Sequence, residues 1–268
     1  MYIEYNYDLC KDSNQINLNL IKFGYAIVDD NWHGKVLSPV CSRLYYIISG
    51  RARIFHKNKF LVLDAGAWSL LPAGLSFEYG CETNMEHIYF HIKLSRSDGI
   101  DILSNSKEIL CLKTDESNAL KIKDYINRSG ALAALQLKKS VYQATIPILK
   151  ENKVFLENTK LSDSIKKAIE FIRQNLSAGL TINQIAEECF VSKSTISKSF
   201  KKELKISAHE YINQQLMYEA ALLLEKGDMS VLQVSEKLGY YDQFYFSRRF
   251  KQHYGITPSE YKKTGIIN

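Results

Sequence analysis

The chain has 268 residues, 46% hydrophobic and 24% charged, with 35 Lys and Arg against 29 Asp and Glu for a formal charge of +6. That ordinary globular composition leaves room for two domains with cores of their own, and with no run approaching about eighteen apolar residues a membrane-spanning helix is not expected. The opening MYIEYNYDLCKD has neither a basic region nor an apolar core, so it does not read as a signal peptide and a cytoplasmic protein is expected.

Residues ~18–94 read as strands. Arg43–Ile48 and Ala52–His56 are rich in Tyr and Ile and flank Ser49-Gly50, a hairpin signal. Leu61–Leu63, Trp68–Leu71 and His87–Leu94 follow, with turns at Asp64–Gly66 and Pro72–Gly74. Many short strands with Gly and Pro turns indicate a sandwich or barrel. The run GAWSLLPAGLSFEY resembles the second cupin motif, but Phe77 stands where that motif places a metal-binding His. No His and Glu pair of the first cupin motif is found around Val40–Tyr45. The expectation is a cupin-like domain that binds rather than catalyses, with no cofactor and no metal. His87 and His91 share a strand face with Tyr89 and lack a third ligand, so they read as sheet-surface or pocket-lining residues. Tyr25, Trp32, Tyr46, Trp68 and Phe77 can line a sugar pocket or form a barrel core. Five cysteines, at 10, 41, 81, 111 and 189, are an odd number without a CxxC and read as reduced thiols.

Residues 118–150 return to helix. Ala134, Leu137, Val141, Ala144 and Ile148 form a short seam at alternating spacings of three and four, and Leu135, Tyr142 and Leu149 supply a second apolar face. One face then packs on the barrel and the other meets a second copy, or both are buried within the domain; Pro147 limits the seam. Glu151–Lys160 reads as the linker.

The last third repeats itself. Residues 181–211, TINQIAEECFVSKSTISKSFKKELKISAHEY, align with 230–261, SVLQVSEKLGYYDQFYFSRRFKQHYGITPSEY, with one residue inserted near Tyr241. Two copies of a short helix, a tight turn and a second helix read as a pair of helix-turn-helix modules, at 182–204 and 231–254. Thr181 with Gln184 makes a capping box, Ser192 and Asp242 cap the second helices, and Gly239 ends the first helix of the second copy. Ile196 with Phe200, and Phe246 with Phe250, fall on the buried faces. Ser194, Ser197, Lys198, Lys201 and Lys202 then face outward in the first copy, and Gln243, Phe244, Ser247 and Arg248 in the second, with Lys251 beyond. Gln and Arg are the bidentate readers of adenine and guanine, Phe can meet a thymine methyl, and lysines bind phosphates. From Leu161 onward there are fifteen Lys and Arg against twelve Asp and Glu, only +3, but Lys193–Lys205 holds five Lys against Glu203. Between the copies Ala208–Lys226 reads as one helix, stopped by Gly227 and Asp228.

The run SVLQVSEKLGYYDQFYFSRRFKQHYGITPSEYKK resembles the signature of the AraC/XylS transcription regulators: a Gly-aromatic pair, Phe-Ser-Arg, Phe-Lys, Gly and Thr-Pro at these spacings. The resemblance covers about the last hundred residues. It implies seven helices, two helix-turn-helix units and two adjacent major grooves of one promoter site. Lys205, Ala208, Leu216 and Lys262 depart from residues common in that family, and the first copy is the more diverged.

The expected protein is therefore an α+β chain of two domains. Residues 1–150 form a cupin-like β-barrel with dimerisation helices, 151–160 the linker, and 161–268 the DNA-binding domain. It is expected to be a non-enzymatic homodimeric regulator of promoter DNA, responding to a small molecule such as a sugar and contacting RNA polymerase if it is an activator. The alternatives are a regulator whose barrel only dimerises or binds protein, and a DNA-tethered cupin enzyme.

Overall fold

Alternating apolar and polar residues, broken by turn residues, fold the first part of the chain into two antiparallel sheets. The computed structural model describes residues 13, 16–36, 39, 41–96, 99, 101–103, 106, 108–113, 117–152 and 161–267. The chain divides into two compact units, Met1–Leu156 and Glu157–Asn268. The expected linker lies, beyond Asn152, outside the described residues, as does Cys10.

The first unit contains strands β1 (Ile16–Val28), β2 (His33–Val36), β3 (Ser42–Ser49), β4 (Arg51–His56), β5 (Lys59–Asp64), β6 (Ala67–Leu71), β7 (Phe77–Cys81), β8 (Met85–Arg96) and β9 (Leu110–Lys113). Five of them form one sheet in the order β1-β8-β3-β6-β9, and four another in the order β2-β7-β4-β5. Among the described residues no strand pairs across the two sheets, so the barrel is not closed: the unit is an open sandwich.

Ser49-Gly50 is not a hairpin. β3 pairs with β6 and β8, while β4 pairs with β5 and β7. The chain leaves one sheet and enters the other at Gly50, whose φ of 79° and close approach to Asn84 and Met85 leave no room for a Cβ. The hairpin lies one strand later, between β4 and β5, where His56 pairs with Lys59 around Lys57 and Asn58. Both central residues have positive φ, 47° and 62°, as a type I′ turn requires.

The period of two along β8 gives the sheet its two faces. Ile88, Phe90, Ile92 and Leu94 point outward, with Leu44, Tyr46, Trp68 and Leu70, into a core closed by helices α1 (Ser117–Ile126) and α2 (Ala131–Glu151). A break at Gly130, with φ 96°, divides the helical stretch that the sequence presented as one. Leu137, Val141, Ala144 and Ile148 pack on this unit's own sheet, so the expected seam is used internally. Pro147 does not shorten α2, which runs on to Glu151. Both Pro147 and Gln143, whose carbonyl loses its amide partner, are exposed, so water can serve the orphaned oxygen.

Between the sheets lies a second core that includes Val36, Tyr45, Ile47, Ile54, Leu71, Phe77 and Tyr79. The five aromatic residues grouped from sequence therefore separate: Tyr25, Tyr46 and Trp68 belong to the helix side, Trp32 and Phe77 to the sandwich interior. Phe77 is 3% exposed and sits beneath the Arg43 guanidinium. Among the described residues no three His, Cys, Asp or Glu side chains are grouped to hold a metal. His87, on the interior face of β8, is ringed by Trp32, Tyr45 and Tyr89 at centroid distances of 5.4, 6.0 and 5.9 Å. Burial pushes its pKa down to about 4. His91, buried on the same face, is held well below the ordinary value by burial, then by Arg43 and Lys22.

The second unit is helical: α3 (Asp163–Gln174), α4 (Ile182–Glu188), α5 (Lys193–Ser199) with a π-helical continuation Phe200–Leu204, α6 (Ala208–Lys226), α7 (Val231–Lys237), α8 (Gln243–Tyr254) and α9 (Pro258–Ile267). No helix among the described residues is long and apolar enough to cross a membrane.

Two outcomes test this description. Replacing Gly50 by Ala forces a Cβ into the sheet crossing in a left-handed conformation and should cost the sandwich about 2–3 kcal/mol in urea unfolding. Acid should act through His87: its folded pKa of about 4 lies below the ordinary ~6.5 of the unfolded chain, so the unfolded state binds the proton first. Stability is then complete above pH ~6.5 and falls as pH drops toward ~4. At pH 5 the loss from His87 alone should be about 2 kcal/mol relative to pH 7.5. Both tryptophans, Trp32 and Trp68, lie in this unit and report its unfolding by fluorescence.

Candidate nucleic-acid interface

The two repeats fold alike because they are capped alike. Thr181 accepts from the Gln184 amide while the Gln184 side chain receives the Thr181 amide; Ser230 and Gln233 repeat the box. The second helices start at Ser192, which accepts from the Thr195 amide, and at Asp242, which accepts from the Phe244 and Tyr245 amides. Ser207 caps α6 on the Glu210 amide, as Thr257 accepts from the Glu260 amide at α9.

Packing matches as well. Ile196, Phe200, Phe246 and Phe250 are all 0% exposed. The Phe200 ring meets Tyr211 at 5.6 Å edge-on, and Phe250 meets Tyr261 at 5.3 Å in the same manner. With these residues inward, the remaining positions turn outward. Ser194, Lys198 and Lys201 are exposed and Ser197 half-buried; Phe244, Arg248 and Lys251 are exposed and Gln243 and Ser247 half-buried. Phe244 keeps 75% of its surface in solvent, a large apolar group with nothing of its own chain to cover it. Tyr241, the inserted residue of the second turn, is fully exposed beside the Asp242 cap and is not among the expected contacts. Its signal in the sequence is the insertion itself.

The acids inside the basic runs are occupied. Glu203 accepts from the Ser162 amide at 2.7 Å and its hydroxyl at 2.9 Å, and so ties the second helix of the first copy to the start of α3. Glu260 accepts from the amide and hydroxyl of Thr257, each at 2.7 Å. Lys193, Lys198, Lys201, Lys202 and Lys205 are left exposed around α5 and its continuation. Such a face favours a polyanion whose phosphates are contacted at a few points.

The copies differ at their turns. Gly239 and Gly255 adopt φ of 74° and 80°, and the equivalent residues of the first copy, Phe190 and Lys205, take φ of 54° and 62° with side chains attached. Left-handed backbone costs an L-residue about 1–2 kcal/mol. Phe190 is 88% exposed, with the Lys167 ammonium 4.5 Å from its ring centroid. After α5 the helix widens into the π-helical turn, whereas α8 continues regularly to Gly255. The sequence carries the glycine substitutions but no sign of the π turn.

Two elements join the copies. Helix α6 has 19 residues, about 28 Å at 1.5 Å per residue. The turn before α4 also touches the second copy: the Ala178 amide donates to the Leu238 carbonyl at 2.8 Å, and the bare Cα of Gly239 lies against Ser177. Tyr261 donates to Glu225 at 3.0 Å and Lys262 to the Met229 carbonyl at 3.0 Å, fastening α9 to α6 and to the loop beyond it.

A family model described as a helix-turn-helix domain matches residues 185–264. The chain is 26% identical over 266 residues to the Msm operon regulatory protein of Streptococcus mutans, covering 94% of this chain and 95% of that one. It is 26% identical over 242 residues to the lactose operon transcription activator of Staphylococcus xylosus, covering 85% of each. Among solved structures, ToxT from Vibrio cholerae superimposes with a TM-score of 0.53 at 16% identity, covering 93% of this chain and 98% of ToxT, a likeness of fold.

The strained turns give an internal comparison. Lys205→Gly should raise the stability of the helical unit by about 0.5–1 kcal/mol, and Gly255→Ala, which meets open space, should lower it by about 1 kcal/mol. Gly239→Ala should cost more, because its Cβ would collide with Ser177. Denaturant titrations followed by circular dichroism at the helix band measure all three.

Proposed function

We propose that this chain, which belongs to the AraC/XylS family of helix-turn-helix proteins, regulates transcription by reading promoter DNA with two unequal heads. The observation that carries this reading is the repeated geometry. Two capped turns each bury one face of a second helix and turn the other, with a basic side chain at its end, to solvent. In the first head Ser194, Ser197 and Lys198 face the bases and Lys201 a phosphate. In the second, Gln243 and Arg248 read base edges, Phe244 meets a thymine methyl, Ser247 assists and Lys251 holds the backbone. The second head carries more of the sequence preference, since two serines discriminate bases less than Gln and Arg do.

The sandwich serves as sensor and carries out no reaction. Operon regulators among the relatives, for lactose and for raffinose, support a sugar as the small-molecule effector. The protein acts as a cytoplasmic activator that contacts RNA polymerase, a reading of which the name of the Staphylococcus relative supports the activator part alone. Effector binding alters DNA binding only if the two arrangements of the DNA-binding units bind it unequally. A homodimer forms on the outer face of α2, where Leu132, Leu135 and Ile146 are 72%, 63% and 59% exposed beside a groove of about 620 Å³. An apolar stripe of that kind on a domain surface marks an interaction site.

Selection of bound duplexes from a random library, at stated salt, should enrich a motif of two blocks about one helical turn apart. Arg248→Ala should cost about 1–3 kcal/mol and relax the preference at one base pair. Lys201→Ala should weaken binding to every sequence alike and lower the salt slope by about one. No enriched motif under any condition tested would overturn the reading.

A further inference from the structure

Tyr241 is the residue by which the second copy exceeds the first, and neither the core nor the contacts assigned above use it. Backbone hydrogen bonds locate the insertion. The Val191 amide donates to the Ala186 carbonyl at 3.0 Å, and the Tyr240 amide to the Ser235 carbonyl at 2.9 Å, so the two turns run in step to that point. The cap then follows at once in the first copy, as Ser192, and one residue late in the second, as Asp242. In a hydrophobic staple the residue just before the cap packs on the fourth helical residue. Here Phe246 is met instead by Tyr240, two before the cap, with ring centroids 5.2 Å apart. Tyr240 is 8% exposed, and Tyr241 is left wholly in solvent.

The charges at the two helix starts differ, and the difference gives this residue a task. In the first copy Lys193, the first residue of α5, is exposed and offers a cation to a phosphate. In the second, Gln243 takes that place, and the run Leu238–Ser247 contains no Lys or Arg. Its only charge is Asp242, whose carboxylate accepts from the Phe244 and Tyr245 amides at 2.9 Å each. The cap thus occupies amides of the kind that hold phosphates at helix starts, and its own charge repels a phosphate. The hydroxyl of Tyr241, carried into solvent on the residue before the cap, is a neutral donor at the same edge. Phe244 and Tyr245, 75% and 49% exposed, follow within four residues, so Tyr241 is continuous with the reading helix's own exposed surface.

We infer that Tyr241 is a further DNA contact, its hydroxyl donating to a backbone phosphate beside the second block, in the place Lys193 fills in the first head. This rests on the DNA-reading function proposed above. A phenol releases no counterions, so the hold at this edge is insensitive to salt, whereas the equivalent hold of the first head is ionic. A phosphate contact carries register and no base information. Tyr241 therefore fixes where α8 sits along the groove, and Gln243 and Arg248 meet the bases from that position.

The test is an anisotropy titration of the full chain with the two-block duplex enriched from the random library. Tyr241→Phe should weaken binding about five- to tenfold, the worth of one hydrogen bond to a charged acceptor. The loss should be alike for every sequence, with the salt slope and the melting temperature of the free protein unchanged, unlike that of Lys201→Ala. Methylphosphonate placed at each phosphate around the second block should reproduce this loss at one position, and there should cost Tyr241→Phe nothing further. Affinity lost in Tyr241→Ala but kept in Tyr241→Phe would assign the contact to the ring and overturn the proposal. So would a loss confined to one base pair, or one that adds to that of methylphosphonate at every position. Full affinity in both variants, with Arg248→Ala weakened, would overturn it and leave the two-headed reading standing; a wild-type protein that binds no duplex would remove both.

Discussion

A seven-residue helix is too short to persist in water on its own, and each reading head of this protein begins with two of them or with one and a longer partner. What holds them is tertiary: a phenylalanine at 0% exposure on the second helix, set edge-on against a tyrosine of the next. Burying that one face leaves the opposite face no freedom. Ser197 and Lys198 in one copy, and Ser247 and Arg248 in the other, are turned outward because Phe200 and Phe250 are turned in. The side chains proposed to meet DNA and the packed core are thus two sides of a single short helix.

Much of this half was legible because its determinants are local and occur twice. Capping boxes, cap serines, a cap aspartate and glycines at left-handed positions each act within three or four residues. Comparing one copy with the other separates them from accident. The π-helical turn after Ser199 was not legible, for nothing in FKKEL distinguishes it from an α-helical turn. The unequal heads, by contrast, follow from differences the sequence displays openly, Phe190 for Gly239 and Lys205 for Gly255.

The sandwich was less legible because its determinants are not local. Ser49-Gly50 has the chemistry of a hairpin, yet the same glycine permits a crossing between sheets, and only the partners of β3 and β4 distinguish the two. Lys57-Asn58 makes the actual hairpin without the glycine that signals one. The aromatic residues could be counted but not sorted, since strand register decides which faces the helices and which faces the other sheet. The long strand β8 divides the two tasks: its even-numbered residues anchor the helices, and its odd-numbered ones line the interior.

The hydrogen bond from Ala178 to Leu238 makes the helical unit something other than two beads on a rod. With α6 on one side and this strut on the other, the distance and the angle between the heads are both set by the fold. Such a unit is a fixed gauge. A promoter whose two blocks were moved apart by a single base pair would present the second one rotated by ~34°. With the strut and α6 held, the twist would have to come out of the DNA, and the ease of twisting the intervening base pairs would become part of what is recognised.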